Sequence, residues 1–392
     1  MEQTGDEIYD VLVIGGGVVG LSILRSSILK GWKCVLCERD PDLLSHASGS
    51  NSGIVCTGVD ASPGTLERAL IRDSISRIPM HCRQFHIPLR SCGSLVCQWP
   101  WDKAEEGKNL QDVVLESHDA GDTQASILPK DQVRTLEPNL SPECHAAVHI
   151  PGEIVVDPWL FSISYATHAL ENGATILTDW EFDPDASTFD KNVWTARRKF
   201  SSNVGLDSKP PNIRARTIVN AAGLWSDIIQ ARSYGNNNNN NIGQSNQAVP
   251  LCWTANPRRG QYRLFRSNNN TRILHPIQPI PTQRTKGIFV FGTLYDQIAV
   301  GPTALDQASR TDRTVDPAVS RELSSLAEKI VHKLDTKSSY VGSYVGIRPG
   351  TDKRDYQIHL IPHKNWIAAT GMRSTGLTAS LGIARHVVHL LT

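Results

Sequence analysis

The apolar positions near the start of the chain predict one strand–turn–helix–strand unit. Residues 11–14 are all apolar and mostly β-branched, as in a strand that is buried on both faces. Residues 15–20 are rich in glycine and form a turn. A helix is predicted over 18–29, and Gly31 ends it. A second buried strand is predicted over 33–37. This order is typical of a parallel α/β unit.

Beyond this unit, strand-like and helical stretches follow one another. Between residues 85 and 148, short strand-like runs alternate with loops rich in Asp and Glu. Asp157-Pro158 and Asp316-Pro317 are start signals for helices. The further strands predicted lie at 93–97, 217–220, 260–265, 287–291 and 297–300, the last three as in an antiparallel sheet. The further helices predicted span 159–172, 317–334 and 377–391.

These elements predict an α/β fold in two discontinuous domains. A Rossmann-like nucleotide-binding domain takes the start, the middle and the end of the chain, and an α+β domain with an antiparallel sheet takes the two intervening stretches. The predicted bounds are 1–84, 149–235 and 341–392 for the first domain and 85–148 and 245–340 for the second. Residues 236–244, which contain a run of asparagines, are predicted to form a disordered loop.

Composition and charge place the chain among ordinary soluble proteins. Its 392 residues are 40% hydrophobic and 20% charged, with a formal net charge of +1, which favours two domains and disfavours a nucleic-acid partner. The acidic start over 1–7 has neither the pattern of a secretory signal nor that of a transit peptide. The apolar stretch over 8–29 is broken by glycine and serine. We therefore expect no transmembrane anchor and a cytoplasmic location.

Eight cysteines are scattered along the chain, and two of them form a CxxC pattern. Cys34 and Cys37 lie within the strand predicted over 33–37, where residues three apart point to opposite faces. The pair therefore cannot clamp one metal ion. We predict reduced, buried thiols and no metal site.

The glycine turn carries the pattern GxGxxG. Gly15 permits a tight turn, Gly17 lets the backbone approach a pyrophosphate, and Gly20 lets helix and strand pack closely. The helix N-terminus then offers unpaired N–H groups and a positive dipole to the phosphates. Glu38 ends the next predicted strand, where its carboxylate accepts hydrogen bonds from ribose hydroxyls and disfavours a 2′-phosphate. The pattern predicts an adenine dinucleotide, either NAD or FAD.

Ten further segments stand in a recognisable order along nearly the whole chain. They are 38–40 (ERD), 48–55 (SGSNSGIV), 63–66 (PGTL), 92–96 (CGSLV), 136–140 (LEPNL), 218–227 (IVNAAGLWSD), 259–262 (RGQY), 301–303 (GPT), 346–349 (GIRP) and 371–380 (GMRSTGLTAS). Together they resemble the FAD-dependent oxidoreductases of the D-amino-acid oxidase family. Within it, the resemblance is strongest to the branch of L-2-hydroxyglutarate oxidases and anaerobic-type glycerol-3-phosphate dehydrogenases.

The resemblance implies that the dinucleotide is FAD, and it implies a set of contacts. Small polar residues at 50–52 bond to flavin or pyrophosphate oxygens, and the small residues at 221–223 lie close to the dinucleotide. The last segment opens the final helix, whose N-terminal N–H groups face the flavin and stabilise the charge of its reduced ring. The implied contacts besides the glycine turn and Glu38 are Arg39, Ser50, Asn51, Ser52, Ala222, Gly223, Trp225, Arg373, Ser374, Gly376, Leu377 and Thr378.

The resemblance also implies a substrate pocket over the flavin. Arg348 holds an anionic substrate group there, and its bidentate guanidinium suits a carboxylate or phosphate. Tyr262 and Arg373 are further candidates for this pocket. The branch usually carries a histidine where this chain has Cys56, and oxidation of an alcohol needs a base for the hydroxyl proton. Cysteine is a poor base unless its pKa is lowered, and His275 is an alternative, although a lone histidine in an apolar strand is more often structural.

The expected function is oxidation of a small anionic hydroxy compound by hydride transfer to flavin N5. Glycerol 3-phosphate and L-2-hydroxyglutarate are the leading substrates, and the electrons pass to a quinone, another acceptor or oxygen. Cys56 keeps two alternatives open. One is an FAD-dependent amine or amino-acid oxidase, which needs no strong base, and the other is an FAD-binding protein with impaired catalysis. An NAD-dependent dehydrogenase is a weaker hypothesis, because the one visible nucleotide unit holds FAD in the family.

Overall fold

The computed structural model describes residues 7–102, 108–199, 209–235, 253–281 and 287–392. The predicted asparagine-rich loop at 236–244 lies outside these ranges. The helices of the described chain are α1 Val18–Ile28, α2 Leu66–Ile75, α3 Ile78–Gln84, α4 Leu110–Asp119, α5 Lys130–Leu136, α6 Pro158–Glu171, α7 Ser226–Gly235, α8 Pro317–Ile330 and α9 Gly376–Leu391. The strands are β1 Ile8–Ile14, β2 Cys34–Cys37, β3 Ile54–Val55, β4 Leu89–Ser91, β5 Ser94–Gln98, β6 Ser126–Pro129, β7 Ala146–Ile150, β8 Ile154–Val156, β9 Thr175–Leu177, β10 Phe182–Asp190, β11 Val193–Arg198, β12 Asn212–Asn220, β13 Ala255–Arg266, β14 Ile277–Pro279, β15 Phe289–Gly292, β16 Gln297–Gly301, β17 Leu305–Asp306, β18 Tyr340–Thr351, β19 Gln357–Ile361 and β20 Trp366–Thr370.

The first of two compact units consists of residues 1–49, 159–257 and 348–392. Its parallel strands lie side by side in the order β20, β12, β1, β2 and β9. The last four residues of β1 and all of β2 are buried, which explains why both are apolar throughout. β10 and β11 extend the sheet as antiparallel strands beside β12. The predicted α/β fold is confirmed.

Three helices of the first unit pack together. α9 lies against α1 along much of its length. α6 joins them through two hydrogen bonds, one from Arg25 Nε to His168 Nδ1 at 2.9 Å and one between the Tyr165 hydroxyl and Ser380 Oγ at 2.8 Å. The N-terminal and C-terminal segments of the chain therefore meet in one layer of helices.

The second unit consists of residues 50–158 and 258–347. Its large sheet has the order β17, β13, β16, β15, β14, β5, β7, β6, with β18 also paired to β13. β14 and β5 are parallel, whereas β13–β16, β15–β16 and β5–β7 are antiparallel. The predicted antiparallel character of this sheet is confirmed for these neighbours.

The two faces of this sheet carry different clusters. Ile298 and Val300 belong to a large apolar core to which α8 contributes Leu323. Ala299, between them on β16, packs instead with Tyr262. Because successive residues of a strand point to opposite faces, Tyr262 lies on the face opposite α8.

The contact-based units differ from the predicted domain bounds mainly at residues 50–84 and 149–158. Both stretches lie in the second unit. The cause is a three-stranded sheet in which β3 and β4 both pair with β8. These strands are two or three residues long, too short to leave a periodic pattern in the sequence.

The helix predicted over 317–334 begins as expected and ends early. Asp316 caps it, accepting hydrogen bonds from the N–H groups of Ala318 and Val319. The helix ends at Ile330, because Val331 is extended and forms a β-bridge with Leu140. Within the described residues, no helix is long and apolar enough to span a membrane.

Candidate active site

In the glycine turn after β1, two of the three motif glycines are packed tightly against other backbone atoms. Gly15 has a φ of +108°, and a Cβ on it would lie 2.6 Å from the Ala221 carbonyl oxygen. A Cβ on Gly20 would overlap the Gly15 carbonyl oxygen, so α1 can approach the turn only with glycine there. A Cβ on Gly17 would meet the Ser48 hydroxyl at 3.2 Å and nothing else described. The fold itself requires Gly15 and Gly20, whereas Gly17 presents backbone that a phosphate can approach.

The N-terminus of α1 is suited to an anion. Gly17 is its N-cap residue and offers no side-chain cap, and no acidic residue stands in the first turn. The Ser48 hydroxyl accepts a hydrogen bond from the Val18 N–H at 3.0 Å. The sequence pattern did not single out Ser48, although it belongs to the segment 48–55. The remaining N–H groups and the helix dipole favour negative charge at this end.

Glu38 holds the turn from the end of β2. Its Oε2 accepts a hydrogen bond from the Gly16 N–H at 2.6 Å, and its Oε1 accepts one from the Asp40 N–H at 2.9 Å. A carboxylate has about four lone-pair positions, so these two bonds leave acceptor capacity for ribose hydroxyls. The predicted ribose contact is therefore compatible with a carboxylate that also orders the glycine turn.

Arg39 and Trp225, both predicted cofactor residues, lie together. The guanidinium carbon is 3.9 Å from the indole centroid, a close cation–π stack. His46 joins them, with Nε2 at 2.8 Å from Arg39 Nη2 and its ring edge-on to Trp225. Asp40 Oδ2 lies 2.6 Å from the same histidine nitrogen. Sequence reasoning missed His46, which lies outside the motif segments.

The segment after β12 lies against the glycine turn. Asn220 is buried, donates a hydrogen bond to the Ser226 carbonyl oxygen at 2.8 Å and accepts one from the Ala222 N–H at 3.3 Å. A short 3₁₀ helix, Gly223–Trp225, follows, and Gly223 has a φ of +54°. A Cβ on Gly15 would lie 3.2 Å from Ala222 Cα. The predicted residues Ala222 and Gly223 thus lie beside Gly15.

The final helix begins beside the N-terminus of α1. α9 starts at Gly376, one residue earlier than predicted, with Thr375 as its N-cap residue. The Thr375 hydroxyl lies 2.7 Å from the Tyr356 hydroxyl. A Cβ on Gly376 would lie 3.7 Å from Val19, so the two helix N-termini are neighbours. Of the other residues predicted here, Ser374 is exposed, Arg373 is half-buried, and Leu377 and Thr378 are buried.

Arg348 lies near these elements on β18. A Cβ on Gly223 would lie 3.9 Å from the Pro349 side chain, and a Cβ on Gly350 would lie 3.7 Å from Arg373 Cγ. Arg348 is half-buried and directly precedes Pro349. The first unit therefore brings the residues that follow Arg348 to the 3₁₀ turn and to the entry of α9, and the substrate contact of the arginine itself stays a prediction.

Residues 50–52 lie in the second unit shortly before β3, and two of their side chains accept hydrogen bonds from the backbone there. Asn51 Oδ1 accepts a hydrogen bond from the Gly53 N–H at 2.8 Å, and Ser52 Oγ accepts one from the Ile54 N–H at 3.3 Å. A Cβ on Gly346 would overlap the Ser50 hydroxyl, so Ser50 lies directly on β18. Their contact with a cofactor stays a prediction.

Tyr262 stacks on Tyr344 in the same unit. Their ring centroids are 4.6 Å apart and the planes differ by 13°. Burial, and then the neighbouring Tyr262, raises the pKa of Tyr344 far above its ordinary value, so its hydroxyl stays neutral. Ile54 packs against the apolar cluster that contains Tyr262, and Cys56 follows two residues later. Sequence reasoning missed Tyr344, which stands two residues before the segment GIRP.

His275 lies beside α5, apart from the cluster around Tyr262. Its Nδ1 is 2.7 Å from Oε1 of Glu137, the residue that ends α5. The same oxygen accepts hydrogen bonds from the backbone N–H groups of Leu274 and His275, at 2.7 and 2.5 Å. Glu137 is fully buried, and its Oε2 has no hydrogen-bond partner among the described residues. The carboxylate fixes one side of the histidine ring.

Cys34 and Cys37 are free thiols, buried in β2. Burial, assisted by Asp10, raises the pKa of Cys34 to about 12, and burial, assisted by Glu38, also raises the pKa of Cys37. Both are therefore protonated and unreactive. In the part of the chain that the structure describes, no group of three or more His, Cys, Asp or Glu side chains is placed to hold a metal ion.

Comparison with known proteins identifies a family and several relatives. A family model described as FAD dependent oxidoreductase (DAO) matches residues 10–390. The glycerol 3-phosphate dehydrogenase of Caloramator mitchellensis is 27% identical over 386 residues, which cover 98% of this chain and 74% of that protein. The mitochondrial L-2-hydroxyglutarate dehydrogenase of Mus musculus is 28% identical over 306 residues, or 74% of this chain and 60% of that protein. The FAD-bound L-α-glycerophosphate oxidase of Mycoplasma pneumoniae superposes with a TM-score of 0.82 at 24% identity, covering 98% of this chain and 95% of that one, so the two share a fold.

Proposed function

Since the chain belongs to the DAO family of FAD-dependent oxidoreductases, we propose that it oxidises a small anionic hydroxy compound to the corresponding carbonyl compound. The observation that carries the proposal is the course of β18, which brings the residues directly after Arg348 to the 3₁₀ turn and to the entry of α9. Two of the relatives are named for glycerol 3-phosphate and L-2-hydroxyglutarate, which are both small, anionic hydroxy compounds.

The residues present fit FAD. At Gly15 and Gly20 a Cβ would clash with neighbouring backbone atoms. At Gly17 the backbone is accessible, as the close approach of a pyrophosphate requires. Glu38 retains acceptor capacity for the adenosine ribose. The N-terminus of α9 would stabilise negative charge on the flavin ring. When bound, FAD supplies the two-electron acceptor that takes hydride from the substrate carbon.

Arg348 binds and orients the substrate in this proposal. A guanidinium forms two parallel charge-assisted hydrogen bonds with a carboxylate or phosphate, which fixes orientation as well as position. Substrate held in this way presents one C–H bond in a constant direction, and such positioning accounts for a large share of enzymatic rate enhancement.

The hydroxyl proton needs an acceptor, and the two candidates lie in different surroundings. Cys56 directly follows β3, whose Ile54 packs against the apolar cluster that contains Tyr262. His275 is hydrogen-bonded to the buried Glu137. We propose that Cys56 lines the reacting site and that His275 serves the local structure around α5. Replacing His275 with glutamine should then leave the pH dependence of flavin reduction unchanged.

Anaerobic flavin reduction tests the proposed function. Purified holoenzyme is mixed with glycerol 3-phosphate, L-2-hydroxyglutarate and other 2-hydroxy acids while the flavin absorption band is followed. Bleaching by at least one anionic hydroxy compound is expected. Arg348→Lys should slow it about 10- to 150-fold at low substrate, the equivalent of one charge-assisted hydrogen bond. Arg354→Lys, at an exposed position six residues away, is the matched control. A flavin that no hydroxy compound bleaches contradicts the proposal.

A second candidate is oxidation of an amine or amino acid. The observation that favours it is Cys56, which stands where the branch has a histidine, because a neutral amine releases hydride without a strong base. The same experiment with amino acids distinguishes the two. Faster bleaching by an amino acid than by its hydroxy analogue favours this candidate.

An oxidoreductase of this family also needs an electron acceptor as its second substrate. We propose a quinone, oxygen or another small acceptor. The reduced enzyme, mixed with each acceptor in turn, should be reoxidised fastest by the physiological one. Reoxidation by oxygen at the rate of turnover would identify an oxidase.

A further inference from the structure

Three side chains meet at the carboxyl ends of the parallel strands in the first unit. Arg39 stands two residues after β2, and Trp225 ends the 3₁₀ helix that follows β12. β1 lies between these two strands, so the contact between Arg39 and Trp225 spans the end of β1, where the glycine turn begins. His46 is the third side chain and contacts both. Ligands of open α/β sheets bind outside the carboxyl ends of the strands, so this group lies where a dinucleotide is expected.

We propose that His46 is a positioning residue for the adenosine half of FAD, because it holds the Arg39 guanidinium in place on Trp225. The arginine directly follows Glu38, the residue expected to bind the adenosine ribose. The inference rests on the chain's use of FAD and not on the compound that the enzyme oxidises.

The Arg39 guanidinium is anchored on an aromatic ring and is still within reach of a ligand. Its carbon lies 3.9 Å from the centroid of the Trp225 indole, while the arginine side chain remains 31% exposed. A guanidinium stacks on aromatic rings and donates charge-assisted hydrogen bonds to anionic oxygens. The adenosine half of FAD offers both kinds of partner, the adenine ring and a phosphate. An arginine fixed at this place can therefore bind the cofactor without first being ordered.

His46 restrains the guanidinium in either of its neutral tautomers. Its Nε2 lies 2.8 Å from Arg39 Nη2 and 2.6 Å from Asp40 Oδ2. With a lone pair on Nε2, the histidine accepts a hydrogen bond from the arginine. With a proton there, it donates to Asp40, whose Oδ1 lies 3.4 Å from Arg39 Nε. The guanidinium is thus held by the histidine directly or through the aspartate.

This restraint removes part of the cost of binding. A long side chain that must become ordered when a ligand binds lowers the affinity by about 2- to 13-fold. His46→Ala should impose that cost, so the affinity for FAD should fall by the same factor. His46→Gln should keep most of the affinity, because its amide offers an acceptor to Arg39 and a donor to Asp40.

Titration of the whole chain, freed of its cofactor, with FAD measures these affinities through the quenching of flavin fluorescence. His168→Ala is the matched control, because His168 also accepts a hydrogen bond from an arginine of the first unit, Arg25, at 2.9 Å. Arg25 stands seven residues beyond the first residue of α1, about 10 Å along the helix from the glycine turn. The control removes a comparable interaction and should leave the affinity for FAD unchanged.

A double-mutant cycle shows whether His46 acts through the arginine. Arg39→Met keeps an apolar stem and removes the guanidinium, so it should itself weaken FAD binding. Adding His46→Ala to this variant should weaken binding no further, because the group that the histidine positions is already gone. A general loss of structure would lower the affinity by the same factor in both backgrounds, and urea unfolding of each variant measures that loss separately.

The outcomes separate this inference from the proposed function. The inference is overturned if His46→Ala or Arg39→Met binds FAD as tightly as the wild type. It is also overturned if His46→Ala keeps its full effect in the Arg39→Met background, or if His46→Gln binds as weakly as His46→Ala. If the variants behave as expected but no hydroxy compound bleaches the flavin of the wild type, the proposed function fails and this inference stands.

Discussion

Adding one methyl group at Gly17 should weaken cofactor binding and leave the fold almost unchanged, whereas adding one at Gly20 should destabilise the fold itself. A Cβ on Gly17 would meet only the Ser48 hydroxyl, at 3.2 Å, and the residue has φ of −79° and ψ of 172°, which alanine adopts easily. The hydroxyl needs to move by only a few tenths of an ångström. Alanine is somewhat worse than glycine as an N-cap residue, so Gly17→Ala should cost the apoprotein no more than about 1 kcal/mol.

The same methyl group would stand where we expect the pyrophosphate to approach the backbone. Loss of one hydrogen bond to a charged group is worth about 1.5–3 kcal/mol, so FAD affinity should fall roughly 10- to 150-fold. Gly20→Ala is different, because its Cβ would overlap the Gly15 carbonyl oxygen and α1 must move away from the turn. Overpacking of this kind costs about 1–3 kcal/mol, and it should appear in the apoprotein as well.

The assay compares two quantities for each variant. Urea unfolding of the apoprotein gives its free energy of unfolding, and titration with FAD, followed by quenching of flavin fluorescence, gives the affinity. Gly342→Ala is the matched control, because a Cβ there meets nothing within 4 Å and the residue has an ordinary φ. The reasoning is refuted if Gly17→Ala binds FAD as tightly as the wild type, or destabilises the apoprotein as much as Gly20→Ala.

Three further predictions concern titratable groups that are buried or half-buried. Glu137→Gln should lower the free energy of unfolding by about 1.5–3 kcal/mol in urea titrations, because the buried carboxylate accepts three N–H hydrogen bonds. Burial, and then the charge of His275, lowers the pKa of His149. The unfolded protein therefore binds the proton more tightly, so stability is present above about pH 6.5 and falls as the pH decreases, and His149→Gln should lessen the fall between pH 7.5 and 5.5. Cys34, whose pKa burial raises to about 12, should resist maleimide at pH 7.5 in the native protein and react in urea, as measured by mass spectrometry.

Each of these has a result that contradicts it. Glu143→Gln, at an exposed position, is the control for Glu137→Gln, and equal stability of the two variants would show that the buried carboxylate contributes nothing. An unchanged pH dependence in His149→Gln would mean that other histidines account for the acid sensitivity. Rapid labelling of native Cys34 would mean that β2 opens readily.

The sequence by itself determined the nucleotide-binding unit. The glycine pattern, the buried strands on either side and Glu38 act over fewer than 30 residues, and each has a local physical cause. Gly15 needs a positive φ, Gly20 must lack a Cβ, and an all-apolar strand must be covered on both faces. The helix start at Asp316 could also be predicted, because capping is local: the cap residue bonds to residues two and three positions away.

Only the tertiary structure decided which residues from distant parts of the chain meet. Tyr344 stacks on Tyr262 because the sheet order pairs β18 with β13, and neither strand carries a pattern that specifies its neighbour. The structure likewise places His275 on the carboxylate of Glu137, 138 positions earlier in the chain. Turns, caps and strand periodicity are local, whereas contacts of this kind depend on packing the whole sheet. The glycine turn could therefore be predicted from the sequence, and the stacking of Tyr344 on Tyr262 could not.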